Sequence, residues 1–276
     1  MTPEGYQILS GFDSPFSNVP VYHCRETQST MLDADALAAD SADGTVLWAD
    51  FQHAGRGRGA GRRWTAAPGA NLTFTLLVSR GAATPEDDRR GIGSIPLRAG
   101  LAVAEAAAVL GVEPDEVRIK WPNDVLVNGH KLCGILCEGR SGGVERFHIG
   151  IGLNVNQEVF PDGVVPAPVS LAQLLGRKLD RSEVLATLLA QLGRALRNGD
   201  WRSAVEQRLF GAGAAVTVQG TAVASQRSGS AAPAVDGRIC GIGADGSLRV
   251  RAADGGEVSV LQPDAVRYRT GTPSST

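Results

Sequence analysis

Cysteine and histidine are scarce in this sequence of 276 residues, with four of each. The cysteines include no Cys-x-x-Cys pair and the histidines no His-x-x-x-His pair, so we expect no metal site built from them. The sequence also lacks the basic region of a signal peptide and any apolar run of ~18 residues that could span a membrane. These absences predict a reduced cytoplasmic protein that does not bind a membrane.

Charge of either sign is not in excess, because 27 Lys and Arg face 29 Asp and Glu, for a net charge of −2. This balance argues against a surface that binds nucleic acid or an anionic membrane as a whole. Lysine is the rare cation, since only three of the 27 basic residues are lysines: Lys120, Lys131 and Lys178. In a chain this rich in arginine, a lysine indicates a position that requires a compact ammonium group.

Hydrophobic periodicity predicts an α+β fold. Strands are expected over residues 46–52, 71–79 and 145–156, where β-branched and aromatic residues are frequent. Helices are expected from Thr30 onward and over the Ala-rich residues 94–111, which end at a glycine. These elements predict a mostly antiparallel sheet.

Composition changes near residue 210, which we predict to be a domain boundary. Residues 1–210 would form the larger domain, and the short strands with Gly turns over 211–270 a small C-terminal β-barrel or sandwich. A polar Gly/Ser/Ala-rich insertion at 220–233 is expected to be a mobile loop. The tail at 271–276 is expected to be disordered.

Asn128-Gly129 joins two runs of β-forming residues and gives the strongest short signal for a β-hairpin in the sequence. Strict alternation along the second strand would place four side chains on one face: Lys131, Cys133, Ile135 and Cys137. Cys133 and Cys137 would then lie ~13 Å apart, which is too far for a disulfide.

Residues 55–64, GRGRGAGRRW, contain four arginines, four glycines and no acidic residue, and we call them the Gly/Arg loop. Their guanidinium groups repel one another, whereas a phosphate would bind them bidentately and glycine would allow close approach of the backbone. A solvated basic loop or an RNA-contacting segment is the alternative. RNA-binding segments of this type are long and repetitive, so we favour a loop that binds a phosphate-bearing ligand.

Two of the three lysines, Lys120 and Lys131, flank the predicted hairpin. A lysine close to a carboxylate or an acid anhydride can neutralise charge that develops during acyl chemistry, although a single surface lysine is usually only solvated. Asp124 ends the motif KWPND, where a turn-capping role and a catalytic role both fit. Gly150 and Gly152 in GIGLNVN would let a flat ligand approach the sheet closely.

These motifs resemble those of biotin protein ligases and occur in the same order. They are Ser29-Thr30, Gln52 before the Gly/Arg loop, KWPND followed by Lys131, and GIGLNVN. The resemblance covers about residues 24–200, and the small C-terminal β-domain also fits. It implies a mixed sheet with helices packed on one side, related to class II aminoacyl-tRNA synthetases and lipoate ligases.

The resemblance implies an enzyme that activates biotin with ATP and magnesium to biotinyl-5′-AMP. The biotinyl group then passes to one lysine of a biotin carboxyl carrier domain of a carboxylase. Members of the family that also repress transcription have an N-terminal DNA-binding winged helix. Only 28 residues precede Ser29, so we expect a ligase without that module and without a DNA partner.

The resemblance assigns biotin binding to three groups of residues: Ser29, Thr30 and Gln52; Gly55, Arg56, Gly57 and Arg58; and Lys131 with Gly134. The first group resembles the ligands of the ureido ring, and the second the loop that closes over the carboxylate and the α-phosphate. Lys131 resembles the lysine that contacts the carboxylate and the acyl-phosphate oxygen. Gly134 resembles the glycine beneath biotin. Lys131, Arg58 and Asp124 are the expected catalytic residues, with Asp124 steering the acceptor lysine.

The nucleotide side is assigned to four residues: Arg62, Trp64, Asn123 and Asn154. Asn154 resembles an adenine contact, while Arg62 and Trp64 would close over the nucleotide. Two departures from the family pattern stand out. The Gly/Arg loop has one residue more than usual at Gly59-Ala60, and Met31 stands where an asparagine is common.

Two other functions compete with this interpretation. A lipoate or octanoate transferase of the same superfamily could use Cys133 or Cys137 to form a thioester, although a thioester route needs no phosphate-binding loop. A non-catalytic nucleotide- or RNA-binding protein would use the Gly/Arg loop alone. The sequence leaves open which carboxylase is modified and whether the chain is a monomer or an oligomer.

Overall fold

The computed structural model describes most of the chain: residues 3–10, 12, 19, 21–37, 41–59, 61–79, 91–140, 146–219 and 234–269. The insertion at 220–233 and the tail at 271–276, for which we expect mobility and disorder, lie outside the described residues. Ala60 of the Gly/Arg loop also lies outside them. Among the described residues, no helix is long and apolar enough to cross a lipid bilayer.

The larger sheet has eight strands: β1 (Gln7–Leu9), β2 (Val21–Thr27), β3 (Thr45–Gln52), β4 (Leu72–Ser79), β5 (Val117–Lys120), β6 (Asp124–Val127), β7 (His130–Arg140) and β8 (Arg146–Leu153). Their order is β1-β2-β3-β4-β8-β7-β6-β5. Only β2 and β3 are parallel, and the other neighbours pair antiparallel. The predicted mixed, mostly antiparallel sheet is therefore confirmed.

The second sheet is antiparallel and has five strands: β9 (Ala215–Val218), β10 (Val235–Ile242), β11 (Leu248–Ala252), β12 (Glu257–Val260) and β13 (Val266–Tyr268). Their order is β12-β11-β10-β9-β13. A C-terminal sheet domain is thus present, as the change in composition predicts. The exact boundary near residue 210 stays a prediction.

Five α-helices occur in the described residues: α1 (Thr30–Leu37), α2 (Ile95–Leu110), α3 (Leu171–Leu175), α4 (Arg181–Arg197) and α5 (Trp201–Gln207). α2 ends at Gly111, whose φ of 111° closes the helix with backbone bonds to Ala107 and Ala108. A residue with a side chain is strained at this φ, so glycine at this position stops the helix.

The long helices α2 and α4 pack together on one face of the eight-stranded sheet. Their apolar side chains form one core with β4, β7 and β8, to which Phe74, Ile135 and Ile151 contribute. Gly100 of α2 lies against Ile119, because no Cβ holds the helix away from β5. This core leaves the opposite face of the sheet to the functional site.

α1 departs from the expected one-sided arrangement, because it lies on the face opposite α2. Its Ala34 packs with Leu47 of β3 and Leu77 of β4, in a cluster separate from the main core. The reason is topological: β2 and β3 are parallel, so the chain between them must cross over one face of the sheet. This crossover places the N-terminus of α1 at the site.

The predicted hairpin forms, with Asn128 at φ 50° and Gly129 at φ 78° in the two-residue turn. The predicted alternation on β7 is wrong. Lys131 pairs with Leu126 while Cys133 pairs with Val125, so Leu132 is one extra residue on β7. This β-bulge reverses the facing of the strand. Cys133 and Ile135 join the core, as does Leu132, and Lys131 turns to the opposite face.

Candidate functional site

A row of cross-strand partners on the open face of the larger sheet forms the floor of the site. Thr73 pairs with Gly152, Gly152 with Gly134, Gly134 with Asp124, and Asp124 with Lys120. Directly opposed residues in a sheet face the same side, so these side chains line up across five strands. The two glycines leave the middle of the row bare.

A cavity of 590 Å³ lies above this floor, between α1, the Gly/Arg loop and the C-terminal sheet. It brings together most of the predicted site residues: Ser29, Thr30, Gln52, Arg56, Gly57, Arg58, Arg62, Trp64, Asn123, Asp124, Lys131 and Gly134. Gly55 and Asn154, also predicted, do not line it. The cavity is thus formed by segments that lie more than 100 residues apart in the sequence.

Polar groups gather at the end of the cavity below α1. The Gln52 carboxamide oxygen accepts hydrogen bonds from the backbone N–H of Thr30 at 2.7 Å and from its hydroxyl at 3.1 Å. Thr75 donates to the same hydroxyl at 2.8 Å. The Ser29 hydroxyl is buried and has no hydrogen-bond partner among the described residues. Because an unpaired buried hydroxyl is costly, this group suits a polar ligand.

The Gly/Arg loop folds back on itself as a narrow hairpin. Arg56 and Arg63 form a β-bridge, and Gly57 donates to the Arg62 carbonyl at 2.8 Å. Gly55 lies outside the cavity at the base of this hairpin, where a Cβ would lie 2.5 Å from the Trp64 carbonyl oxygen. Glycine at 55 therefore closes the base of this loop.

Two ion pairs attach the Gly/Arg loop to its surroundings. Arg56 lies 3.6 Å from Glu138 of β7, and Arg62 lies 3.9 Å from Asp264. Burial lowers the pKa of Arg58, while nearby Asp264 opposes that shift. Arg58 lines the cavity with a solvent-exposed side chain, and an anionic ligand would stabilise its charge.

Side chains of the chain itself cover the bare glycines. A Cβ on Gly152 would lie 2.3 Å from the indole of Trp64, and one on Gly134 would lie 3.3 Å from it. Met31, which departs from the family pattern, lies over Gly150 in the same way, with its sulfur 2.9 Å from the position of a Cβ. The glycines therefore let the side chains of Trp64 and Met31 lie directly on the sheet, and the predicted approach of a flat ligand stays a prediction.

Lys131 and Asp124 form the tightest ion pair of the site, with Nζ and Oδ1 2.6 Å apart. The two side chains are only 24% and 19% exposed. A Cβ on Gly134 would lie 3.3 Å from the Lys131 ammonium, so that glycine clears the space for it. The ammonium is held at a fixed point above the glycine floor.

The two asparagines hold the backbone around Lys131. Asn123 donates to the Ile135 carbonyl at 2.7 Å, and Asn154 donates to the carbonyls of Lys131 at 3.2 Å and Val169 at 3.1 Å. Asn123 lines the cavity, whereas Asn154 is buried beside it. The nucleotide contacts assigned to them stay predictions.

The C-terminal sheet contributes residues that sequence reasoning missed: Leu248, Gln262, Pro263, Asp264, Val266, Arg267 and Tyr268. The Trp121 indole N–H donates to the Gly246 carbonyl at 2.9 Å and joins the two sheets at the cavity. No local signal marks these residues, because they have no motif of their own. Only the folded arrangement of the two sheets brings them to the site.

The thiols predicted for a thioester route are not activated. Cys133 is buried and Cys137 is half-buried, and burial raises the pKa of each thiol. A thiol is nucleophilic only as the thiolate, so neither cysteine has the environment of a nucleophile. Within the described ranges, no group of three or more His, Cys, Asp and Glu residues could hold a metal ion.

The sequence is similar to one family of known proteins and to curated members of it. Residues 21–156 match the model of the Biotin/lipoate A/B protein ligase family. A biotin–[acetyl-CoA-carboxylase] ligase of Mycobacterium tuberculosis is 40% identical over 185 residues, which cover 66% of this chain and 65% of that protein. The enzyme of the same name from Paracoccus denitrificans is 34% identical over 173 residues, 61% of this chain and 69% of that protein.

A solved structure agrees with these sequence matches. The biotin protein ligase from Aquifex aeolicus, in complex with biotin and ATP, superposes with a TM-score of 0.70 at 25% identity. The match covers 90% of this chain and 99% of that one. The chain spans about half to two thirds of the length of the first curated relatives it matches.

Proposed function

Because the chain belongs to the biotin protein ligase family, we propose that it activates biotin with ATP and transfers the biotinyl group to a carrier protein. The acceptor would be one lysine of a biotin carboxyl carrier domain of a carboxylase. One observation supports this most strongly. The same cavity has buried polar groups at one end, a floor of glycines beneath the Trp64 indole in the middle, and a cluster of cations at the other end.

The polar end suits the ureido ring of biotin. Ser29 offers an unpaired buried hydroxyl, and Thr30 and Gln52 offer an adjacent set of donors and acceptors. The flat bicyclic ring and the slender acyl chain would then lie against the Trp64 indole that covers the glycine floor. The carboxylate would reach Lys131 and the Gly/Arg loop, where cations neutralise its charge.

In the first half-reaction, a carboxylate oxygen of biotin forms a bond to the α-phosphorus of ATP. The bond between this phosphorus and the bridging oxygen to the β-phosphate breaks, and pyrophosphate leaves with the electron pair. Lys131, which Asp124 holds in place, and Arg58, which lines the cavity, would stabilise the negative charge on the reacting oxygens. Magnesium would enter with ATP as part of the substrate.

In the second half-reaction, the acceptor amine attacks the acyl carbon and AMP leaves with its phosphate oxygen. The attacking nitrogen loses a proton as the amide forms, and the leaving phosphate of AMP or the solvent takes up that proton. Asp124 lines the cavity beside Lys131 and offers a carboxylate that could orient the incoming lysine. ATP and carboxylases are found in the cytoplasm, where we propose that the reaction takes place.

The direct test offers the protein three acyl donors with ATP and magnesium: biotin, lipoic acid and octanoate. A biotin carboxyl carrier domain is the acceptor, and its intact mass reports the modification. We expect the mass of the carrier to increase by one biotinyl group when biotin is the acyl donor, and to stay unchanged with lipoic acid or octanoate. A carrier whose acceptor lysine is replaced by arginine is the control and should stay unmodified.

Other outcomes would contradict the proposal. Modification by lipoic acid or octanoate in place of biotin would identify a related acyltransferase. Nucleotide binding with no modification of the carrier would identify a non-catalytic binding protein.

A further inference from the structure

Lys120 lines the cavity but has no role in the function proposed above. It lines the cavity from the end of β5 and lies half-buried, on the same face as Asp124, its direct cross-strand partner. Val117 and Ile119, which alternate with it, point into the core beneath α2. The alternation of β5 therefore holds the Lys120 side chain on the site face.

The Lys120 ammonium has no anionic partner of its own. Asp124, the cross-strand neighbour of Lys120, forms its ion pair with Lys131 at 2.6 Å. Across the described part of the chain, the structure records no hydrogen bond or ion pair for the Lys120 side chain. Burial lowers the pKa of Lys120, and the positive charges of Lys131 and Arg62 add to that shift while Asp124 opposes it. A bound anion would stabilise the charge of the Lys120 ammonium.

The charge of the whole cavity points to an anion with several phosphates. Seven arginine and lysine side chains line it, against two carboxylates, Asp124 and Asp264. Biotinyl-5′-AMP brings a single phosphate, which Arg58 and Lys131 suffice to neutralise. The remaining cations exceed what the adenylate needs, whereas an intact triphosphate would match them.

The position of Lys120 separates it from the reacting carboxylate. Lys131 and Gly134 lie on β7, and β5 lies two strands further towards the edge of the sheet. At ~4.8 Å between strands, the backbones of β7 and β5 lie about 10 Å apart, while the Lys131 ammonium reaches towards Asp124 on β6. In-line displacement sends the leaving group away from the attacking oxygen, so a cation set beyond the α-phosphate meets the β- and γ-phosphates.

We propose that Lys120 binds the β- and γ-phosphates of ATP and the pyrophosphate that leaves. The proposal rests on the function proposed above and deepens it, because it divides the cations between the two half-reactions. Lys120 would act in adenylate formation, in which the α-phosphorus to bridging-oxygen bond breaks and pyrophosphate takes the electron pair. It would be dispensable for transfer, since biotinyl-5′-AMP no longer has the phosphates it binds.

Two assays on the Lys120→Met variant test this division. The first measures single-turnover formation of biotinyl-5′-AMP from biotin and ATP, and the second measures transfer from synthetic biotinyl-5′-AMP to the carrier domain. We expect adenylate formation to fall on the order of a hundredfold, as for loss of one preorganised charge, and transfer to change less than about threefold. Lys120→Arg should recover most of the first rate, because arginine also binds phosphate.

Lys178 supplies the matched control. It is the third lysine of the chain, its side chain is 78% exposed, and it pairs with Glu158 at 3.5 Å outside the cavity. Lys178→Met should leave both assays unchanged. An unfolded Lys120→Met protein would lose both steps, so retained transfer also shows that the variant is folded.

Three results would overturn the assignment. Unchanged adenylate formation would show that Lys120 does not bind the leaving group. Loss of transfer alone would identify a contact with the carrier domain, and equal loss of both steps would identify a structural role. If the wild-type protein forms no adenylate from biotin, the proposed function itself fails, and that result is distinct from the other three.

Discussion

The ammonium of Lys131 lies 2.6 Å from the carboxylate of Asp124. Strict alternation along β7 would have placed Lys131 on the opposite face of the sheet, with Cys133 and Ile135. The extra residue Leu132 produces this arrangement, because a bulge in β7 reverses the facing of the strand. Cys133 and Ile135 stay in the core as a result. The cation of the site is therefore positioned by a backbone irregularity as well as by its side chain.

Replacing Lys131 should damage chemistry far more than folding. Lys131→Ala removes the charge above Gly134, and we expect adenylate formation to fall on the order of a hundredfold. Lys131→Arg should recover little of this rate, because a planar guanidinium cannot occupy the space of a compact ammonium. Pyrophosphate release after biotin addition measures the rate, and thermal unfolding provides the control. Near-wild-type release by the alanine variant would contradict the role assigned to Lys131.

Asp124→Asn should affect the second half-reaction more than the first. The carboxylate is proposed to orient the acceptor lysine, so transfer from synthetic biotinyl-5′-AMP should slow by at least about tenfold. The ion pair with Lys131 is mostly buried, so its loss should lower the free energy of unfolding by about 1–3 kcal/mol. Urea titration checks the second value. Equal slowing of adenylate formation and transfer would contradict the division of roles.

Gly152→Ala should disturb both packing and ligand binding. A Cβ at 152 would lie 2.3 Å from the Trp64 indole, so the indole must move off the sheet. We expect a lower melting temperature and at least tenfold weaker biotin binding in calorimetry. Gly199→Ala is the control, because a Cβ there meets no atom within 4 Å. If Gly152→Ala bound biotin as the wild type does, the glycine floor would not be the biotin site.

The Gly/Arg loop should become resistant to arginine-specific proteolysis as ligands bind. Backbone order costs ~1 kcal/mol or more for each residue, and few bonds hold this hairpin beyond its ion pairs to Glu138 and Asp264. Cleavage after Arg56 and Arg58 should be fast without ligand, slower with biotin and slowest with biotin, ATP and magnesium. Equal resistance in all three conditions would mean that the loop is preformed and does not close over the ligand.

The thiols of Cys133 and Cys137 should not react in the folded protein. Burial raises the pKa of Cys133 and Cys137, so at pH 8 both stay protonated, and the thiolate required for alkylation is absent. Iodoacetamide at pH 8 should modify neither residue in native protein and both in urea, as peptide mass mapping would show. Rapid alkylation of native Cys133 or Cys137 would revive the thioester alternative.

Local patterns predicted much of the fold, because periodicity and turn chemistry act over a few residues. The hairpin at Asn128-Gly129 and the stop of α2 at Gly111 are examples. The bulge at Leu132 escaped prediction because Leu132 and Cys133 are both apolar and both buried, so no break in alternation is visible. Asp264 was not predicted to lie at the site for another reason. It contacts Arg62, which is about 200 residues away in the sequence, and local sequence patterns do not predict such long-range contacts.

Biotin-dependent exchange of labelled pyrophosphate into ATP, measured without any carrier domain, tests the central claim most directly. Exchange requires reversible formation of biotinyl-5′-AMP in the cavity and nothing else. We predict exchange with wild-type protein that depends on biotin, is absent with lipoic acid, and falls on the order of a hundredfold in Lys131→Ala. Exchange that proceeds without biotin, or that is lost with wild-type protein while carrier modification persists, would contradict an adenylate mechanism at this site.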